Sequence, residues 1–259
     1  MGLMLAAPLM AENIKRLRLA TTTSTDNSGL LKVLRPVFEK KYGVKIDVIA
    51  VGTGKALRLG RNGDVDLVMV HAPEAEKAFV ASGYGIARLP VMHSDFVLVG
   101  PANDPANVKP AKSTAQALSR IATSGSLFIS RGDDSGTHKK EQSLWINANI
   151  QLNPAWHYLS GQGMGAVLMM ANEKQAYSLT DRGTYIAFGK KLNLEIVYQG
   201  APELHNPYHV ILVNPEKHPH SQTDLARSYA DFLRSAQGQK LIADFKVSGQ
   251  QLFYPHVQN

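Results

Sequence analysis

The sequence predicts an α/β protein of two lobes, each a mostly parallel sheet flanked by helices, joined by a two-stranded hinge. Three observations lead there. Apolar runs of strand length alternate with segments of helical period along nearly the whole chain, and such alternation implies right-handed crossovers and parallel pairing. After FVLVG (96–100) the composition turns to Pro, Asn, Asp and Ala through PANDPANVKP, and a second α/β series begins. One more apolar strand, HVILV (209–213), then leads into two closing helices. The chain thus crosses between units near 98–102 and 205–209, giving lobe 1 as 16–98 with 209–259 and lobe 2 as 99–208. A pair of crossings permits closure over a ligand. A single doubly wound domain is the competing architecture.

The elements follow in order. Arg16–Ala20 reads as a short apolar strand, TTTSTDNSG as a polar loop, and Leu30, Leu31, Leu34, Val37, Phe38 and Lys41 recur at helical spacing. Tyr42-Gly43 stops that helix, with Lys40 and Lys41 suited to its negative end. Val44–Val51 is the next strand, GTGK a second loop, and a helix opens at Ala56. Val65–Val70 is a buried type of strand ending at His71-Ala72-Pro73, and Glu74–Ser82 is helical. In the second unit a helix runs from Ser113 to about Ala122, followed by the strand Leu127–Ser130, the loop RGDDSGT and a helix to about Ala148. A helix from Gly165 to Glu173, a strand at Ala176–Leu179, a helix after Asp181 and a strand at Leu194–Val197 complete it. Thr223–Phe245 carries the closing helices.

The bulk properties narrow the function. Forty-four per cent hydrophobic and 19 per cent charged residues describe a globular chain, and 259 residues suffice for a sizeable core. The net charge of +7 suits a nucleic-acid, membrane-surface or anion binder alike. The basic residues stand singly or in pairs without interleaved aromatics, which argues against nucleic acid. Zero cysteines excludes disulfides, thiolate metal sites and cysteine nucleophiles. Residues 1–15 begin with the apolar MGLMLAAPLMA and read as a truncated signal peptide or a disordered start, which implies export.

Three loops rich in hydroxyls or glycine sit after strands and before helices: Thr21–Gly29, Gly52–Lys55 and Arg131–Thr137. Ligands of open α/β sheets bind beyond the carboxyl ends of strands, and helix N-termini present unpaired N–H groups to anions. Each loop taken singly also reads as plain helix capping. The third is the most specific: Arg131 offers a planar fork for two oxygens of one anion, Gly136 admits close backbone approach, and Ser135 and Thr137 donate. Asp133 and Asp134 would repel an anion, so they are expected to point away, orienting Arg131 or capping the helix. GTGK is not a phosphate-binding P-loop, GQGMG lacks dinucleotide spacing, and no metal-binding histidine pattern occurs. His138 follows Ser135 by three, which raises a serine-dependent hydrolase as an alternative, but the nucleophile elbow is unmatched.

The ordered set LATTTSTDNSGLL, VGTGKAL, DVDLVMVHAP, SRGDDSGTH and AYSLTDRGTY resembles the periplasmic tungstate-binding proteins of ABC importers. These belong to the type II, periplasmic-binding-protein-like fold, and the resemblance runs from Arg18 to the C-terminal helices. It implies a soluble periplasmic binding component, not an enzyme, without cofactor or bound cation. Its expected ligand is tungstate or molybdate, its partner an ABC permease, with no nucleic acid and a monomeric state. Carried over by position, it implies ligand donors from Thr23 and Ser24, Thr53 and Gly54, and Arg131, Ser135, Gly136 and Thr137; which of Thr22, Thr23 and Ser24 makes contact stays open. Related phosphate binders place an aspartate just after the third strand, where this chain reads Met69-Val70-His71-Ala72. A fully deprotonated dianion needs donors only, so this difference favours tungstate, molybdate or sulfate over phosphate. The effector lobe of a transcription regulator is a further alternative of the same fold.

Overall fold

The computed structural model describes residues 14–256. In chain order it begins β1 (Arg16–Thr22), α1 (Thr23–Asn27), α2 (Leu30–Tyr42), β2 (Lys45–Val51), α3 (Thr53–Asn62), β3 (Leu67–Val70), α4 (Pro73–Ala81) and β4 (Gly85–Pro101). It continues α5 (Thr114–Ser124), β5 (Phe128–Ser130), α6 (Gly136–Asn147), β6 (His157–Leu159), α7 (Met164–Lys174), β7 (Ser178–Asp181), α8 (Arg182–Phe188) and β8 (Leu194–Tyr198). β9 (His205–Val213), α9 (Thr223–Arg234), α10 (Ala236–Asp244) and the two-residue strands β10 (Lys246–Val247), β11 (Gln250–Gln251) and β12 (Tyr254–Pro255) close it. The apolar start expected to be a signal-peptide remnant lies, through residue 13, outside the described residues.

The first sheet has the order β12-β4-β9-β3-β1-β2. β1 lies between β2 and β3, parallel to both, so all three strands end on one edge. Parallel neighbours need a covering crossover, and α3 supplies one between β2 and β3. The far half of β4 leaves this sheet to pair with β7 and β8, while β5 lies parallel to β6 and forms an isolated parallel bridge from Phe128 to Tyr177, the residue before β7. The α/β plan is the one expected, although both sheets are mixed. The parallel order holds for β1–β3 and β5–β6, whereas β4 pairs antiparallel with β9 in the first sheet and with β7 and β8 in the second.

Burial follows the pattern of the strands. Leu17 and Leu19 of β1 pack with Phe38, Tyr229 and Leu233 on one face, while Ala20, Val68 and Val70 pack with Leu57 and Phe79 on the other. Strands covered on both faces read as continuous apolar runs. Along β4, Phe96 and Leu98 face a cluster with Phe128 and Trp145, and Val97 and Val99 face Val167 and Leu168. That alternation, with period two, buries β4 between α5 and α6 on one side and α7 on the other.

Two departures from the sequence reading concern the strands that join the sheets. β4 starts at Gly85, well before the apolar run at 96–100, and β9 starts at His205. The first half of β4 hides because Ala87 has φ +50 and the register shifts twice, between Ile86 and Leu89 and between Pro90 and Met92. Such bulges break the alternation on which strands are recognised. In β9, Pro207 interrupts the signal, as proline ordinarily marks a strand as peripheral. A smaller difference is α1, a short helix inside the stretch read as a polar loop.

Gly100 on β4 permits a close approach that no larger residue allows. A Cβ there would lie 2.4 Å from the Tyr177 ring. That ring is anchored, since Tyr177 OH donates to Asp104 Oδ1 at 2.7 Å and accepts from Ala106 N at 2.9 Å. Gly100→Ala is therefore expected to destabilise the fold by about 1–3 kcal/mol, the usual cost of overpacking, as measured by denaturant unfolding.

Candidate functional site

The carboxyl ends of β1, β2 and β3 carry the first half of the site. Thr22 caps α1: its Oγ1 accepts from Thr25 N at 3.3 Å and pairs with Thr25 Oγ1 at 2.7 Å. Thr21 is tied elsewhere, donating its hydroxyl to Met69 O at 2.8 Å across to β3. α3 starts after Gly52 with no side-chain cap, so its first-turn N–H groups face outward unclaimed by any cap. Thr53, the first residue of α3, is fully buried, yet its Oγ1 has no hydrogen-bond partner among the described residues. A buried hydroxyl without a partner costs about 1–3 kcal/mol, a cost that an acceptor placed in the hollow would remove.

The second half comes from the turn between β5 and α6. Gly132 and Asp134 adopt left-handed conformations, φ +63 and +58, and fold the chain so that Ser135 caps α6 by accepting from His138 N at 3.2 Å. This brings Arg131, Ser135, Gly136 and Thr137 over the first half. Contact between the halves is close: a Cβ on Gly136 would lie 3.1 Å from both His71 Cε1 and Thr53 Oγ1.

The two halves enclose a hollow of about 10 Å³ lined by Thr22, Thr23, Ser24, Val51, Gly52, Thr53, His71, Arg131, Ser135, Gly136 and Thr137. Organic ligands occupy pockets of roughly 300 Å³ or more, so this space suits only a very small ligand. Two larger clefts adjoin it. One, of about 290 Å³, lies on the side of His205 and Lys140, and the other, of about 600 Å³, lies between α1, α7 and α8. All the residues anticipated from the sequence line the hollow except Gly54. Gly54 sits at the contact between the halves, where a Cβ would lie 2.7 Å from Asp134 Oδ2.

Arg131 is buried, and its fork is turned differently from the sequence expectation. Nε and Nη2 donate to the two carboxylate oxygens of Asp133 at 3.2 and 2.5 Å, so this edge of the fork is engaged by its own loop. Nη1 has no protein partner among the described residues. Burial pushes the Asp133 carboxyl up, but hydrogen bonds from Arg131 and Ser135 outweigh it and hold it below the ordinary carboxylate range. Asp134 pairs with Lys139 instead. Both aspartates thus serve the loop. The hydrolase alternative loses its geometry: Ser135 Oγ accepts from backbone, and His138 Nδ1 accepts from Asp134 N at 3.1 Å, so no imidazole is hydrogen-bonded to the serine hydroxyl.

His71, the first residue after β3, was legible in sequence only as the position where a carboxylate is missing. It is 4 % exposed, stacks on Tyr208 with ring centroids 4.6 Å apart, and holds Nδ1 2.9 Å from Asn206 Oδ1. Burial pushes its pKa down, against the opposing influence of Asp181 and the Asn206 hydrogen bond. The signal that could have found it is its place at the end of a buried parallel strand.

Two sheets joined by β4 and β9, with a hollow between strand ends, define a periplasmic-binding type of protein. A model of the PBP superfamily domain matches residues 12–237, and the chain belongs to that superfamily. Within it the chain is 45% identical over 242 residues to the tungstate-binding protein TupA of Peptoclostridium acidaminophilum, covering 92% of this chain and 85% of the relative. It is also similar to the solved structure of the tungstate ABC transporter from Geobacter sulfurreducens, at 55% identity and TM-score 0.82, covering 89% of this chain and 98% of that one. The structure of TupA from Desulfovibrio alaskensis G20 aligns at 47% identity and TM-score 0.84, covering 94% and 100%.

Asp133 gives this site a pH dependence of definite sign. Its pKa is depressed in the folded state, so its contribution to stability is present above the unfolded-state value and is lost as pH falls through the folded value. Asp133→Asn is expected to lower stability by about 1–2 kcal/mol at neutral pH. The gap in melting temperature between the two proteins should close in acid, below the ordinary aspartate range.

Proposed function

We propose that this chain is the extracytoplasmic binding component of an ABC importer and captures tungstate, a tetrahedral dianion, between two hinged lobes. One observation carries the reading: the hollow joins donors from both sheets, offers no carboxylate among its lining residues, and leaves the buried Thr53 hydroxyl unsatisfied. An ion that carries no proton of its own needs such donors and gains nothing from an acceptor. The ligand-binding set is Thr22, Thr23, Ser24, Thr53, Arg131 through Nη1, Ser135, Gly136 and Thr137, with Gly54 at the lobe contact. The similarity to tungstate-binding relatives supports tungstate over molybdate, two anions of nearly the same size, charge and shape.

The lobes follow from the strands. In this reading lobe 1 carries β1–β3 and β9, lobe 2 carries β5–β8, and the chain passes between them along β4 and into the start of β9, near the crossings that give lobe 1 as 16–98 with 209–259 and lobe 2 as 99–208. Opening at these strands admits the ion from solvent, and closing surrounds it with helix N-termini from both sides. The closed form then docks on a membrane permease, to which the ion passes. No helix of the described residues is long and apolar enough to cross a membrane.

A thermal-shift panel of tungstate, molybdate, sulfate and phosphate tests the ligand. Stabilisation grows with concentration over Kd, so tungstate should raise the melting temperature at the lowest concentration, and a larger shift with phosphate would sink the reading. Isothermal titration of Arg131→Ala should show tungstate affinity weakened by about 2–3 kcal/mol, the cost of losing one partner of a buried charge contact. Unchanged affinity would place the ion elsewhere.

A further inference from the structure

His71 lines the hollow among groups that donate, yet a neutral imidazole keeps one nitrogen as an acceptor. The surrounding network decides which. Asn206 Nδ2 donates to Ser94 Oγ at 3.2 Å and to Tyr208 OH at 3.3 Å, which turns Asn206 Oδ1 toward His71 Nδ1. An amide oxygen accepts only, so Nδ1 carries the proton and Nε2 is left with its lone pair. Nε2 has no protein partner among the described residues.

The charges facing the ring come from several elements. Asp181 at the end of β7 and Glu76 of α4 favour its protonated form, Arg131 after β5 opposes it, and burial opposes it most strongly. Both carboxylates are held in place. Asp181 accepts from Thr184 N at 2.8 Å and Thr184 Oγ1 at 2.7 Å, and Glu76 accepts from Ala72 N at 2.7 Å and Arg88 Nε at 2.9 Å. Neither can swing in to neutralise the imidazole, and Tyr208, stacked on the ring, is itself an uncharged phenol whose pKa burial pushes up. The ring is therefore neutral while the hollow holds no anion.

A dianion changes the balance. Its oxygens accept only, so beside the Nε2 lone pair they meet a second acceptor. Two negative charges at close range favour the imidazolium. We propose that the protein takes up one proton from solvent at His71 Nε2 as it captures the dianion, so that anion and proton are bound together and leave together. This rests on the reading of the hollow as a dianion site. It makes His71 a binding residue whose donor exists only in the loaded state. The sign follows from linkage: the pKa of His71 is higher in the complex than in the free protein, so affinity rises as pH falls from the first value to the second.

The test is calorimetric titration of the full chain with tungstate in two buffers of different ionisation enthalpy, at pH values where tungstate itself is unprotonated. The expected result is uptake of up to one proton per anion, with affinity tightening about three- to tenfold per pH unit between the two pKa values. His71→Gln, whose amide can donate from the Nε2 position without titrating, should bind the anion with no proton uptake and a flat pH profile. Binding with equal heats in both buffers and a flat profile in the unaltered protein overturns the inference alone. Proton uptake that persists in His71→Gln overturns the assignment to this residue, and absence of any anion binding overturns the site reading and the inference with it. Because the first measurement needs no variant, a folding defect in His71→Gln leaves the proposal testable.

Discussion

A small dianion leaves water only where many donors converge at fixed positions, since an unpaired buried charge is among the most costly things a protein can hold. The fold is arranged around that constraint. Three parallel strands deliver their carboxyl ends to one edge, and the turns that follow them aim Thr22, Thr23, Ser24 and the first turn of α3 at the same point. One sheet edge covers only one side of a tetrahedral ion. Under the proposed function the remaining oxygens would take donors from the opposite side, where the first turn of α6, beside the other sheet, comes close to Thr53 and His71.

That arrangement explains what was legible in the sequence. Strand, hydroxyl-rich turn and helix start are local features, written in TTTSTDNSG, GTGK and RGDDSGTH, and the structure brings these turns together because each follows a strand end. What stayed hidden depends on partners distant in sequence. Gly54 is expected as a ligand donor through the resemblance alone, and its lack of a side chain also makes room for Asp134 from the facing loop, a contact no local pattern announces. His71 could be read only as a missing carboxylate, because its function in the hollow depends on Asn206 and Tyr208, more than a hundred residues away. The joining half of β4 was hidden for a backbone reason, its bulges at Ala87 and Pro90.

The pairing of Arg131 with Asp133 makes the site less cationic than its sequence suggests. A fork with both edges free would present a full charge to the opposite lobe at all times. With Nε and Nη2 engaged by Asp133, the guanidinium is held in one orientation and its charge is partly matched before any ion arrives. The guanidinium beside the hollow is thus a fixed donor partly balanced by its own loop, and fixed donors at low dielectric act strongly without repelling their neighbours.

The same logic bears on closure. If both lobes carried unmatched cations, the empty protein would resist closing and the loaded one would close by neutralisation alone. Here the facing surfaces are hydroxyls, helix N-termini and a buried imidazole, so the lobes meet tightly with Gly136 against His71 and Thr53. What distinguishes the empty from the loaded state is then the number of satisfied donors. Under the proposed function, the Thr53 hydroxyl, unpartnered among the described residues, gives the empty closed form a cost that an ion accepting from it would remove, and the equilibrium between open and closed lobes would respond by that difference.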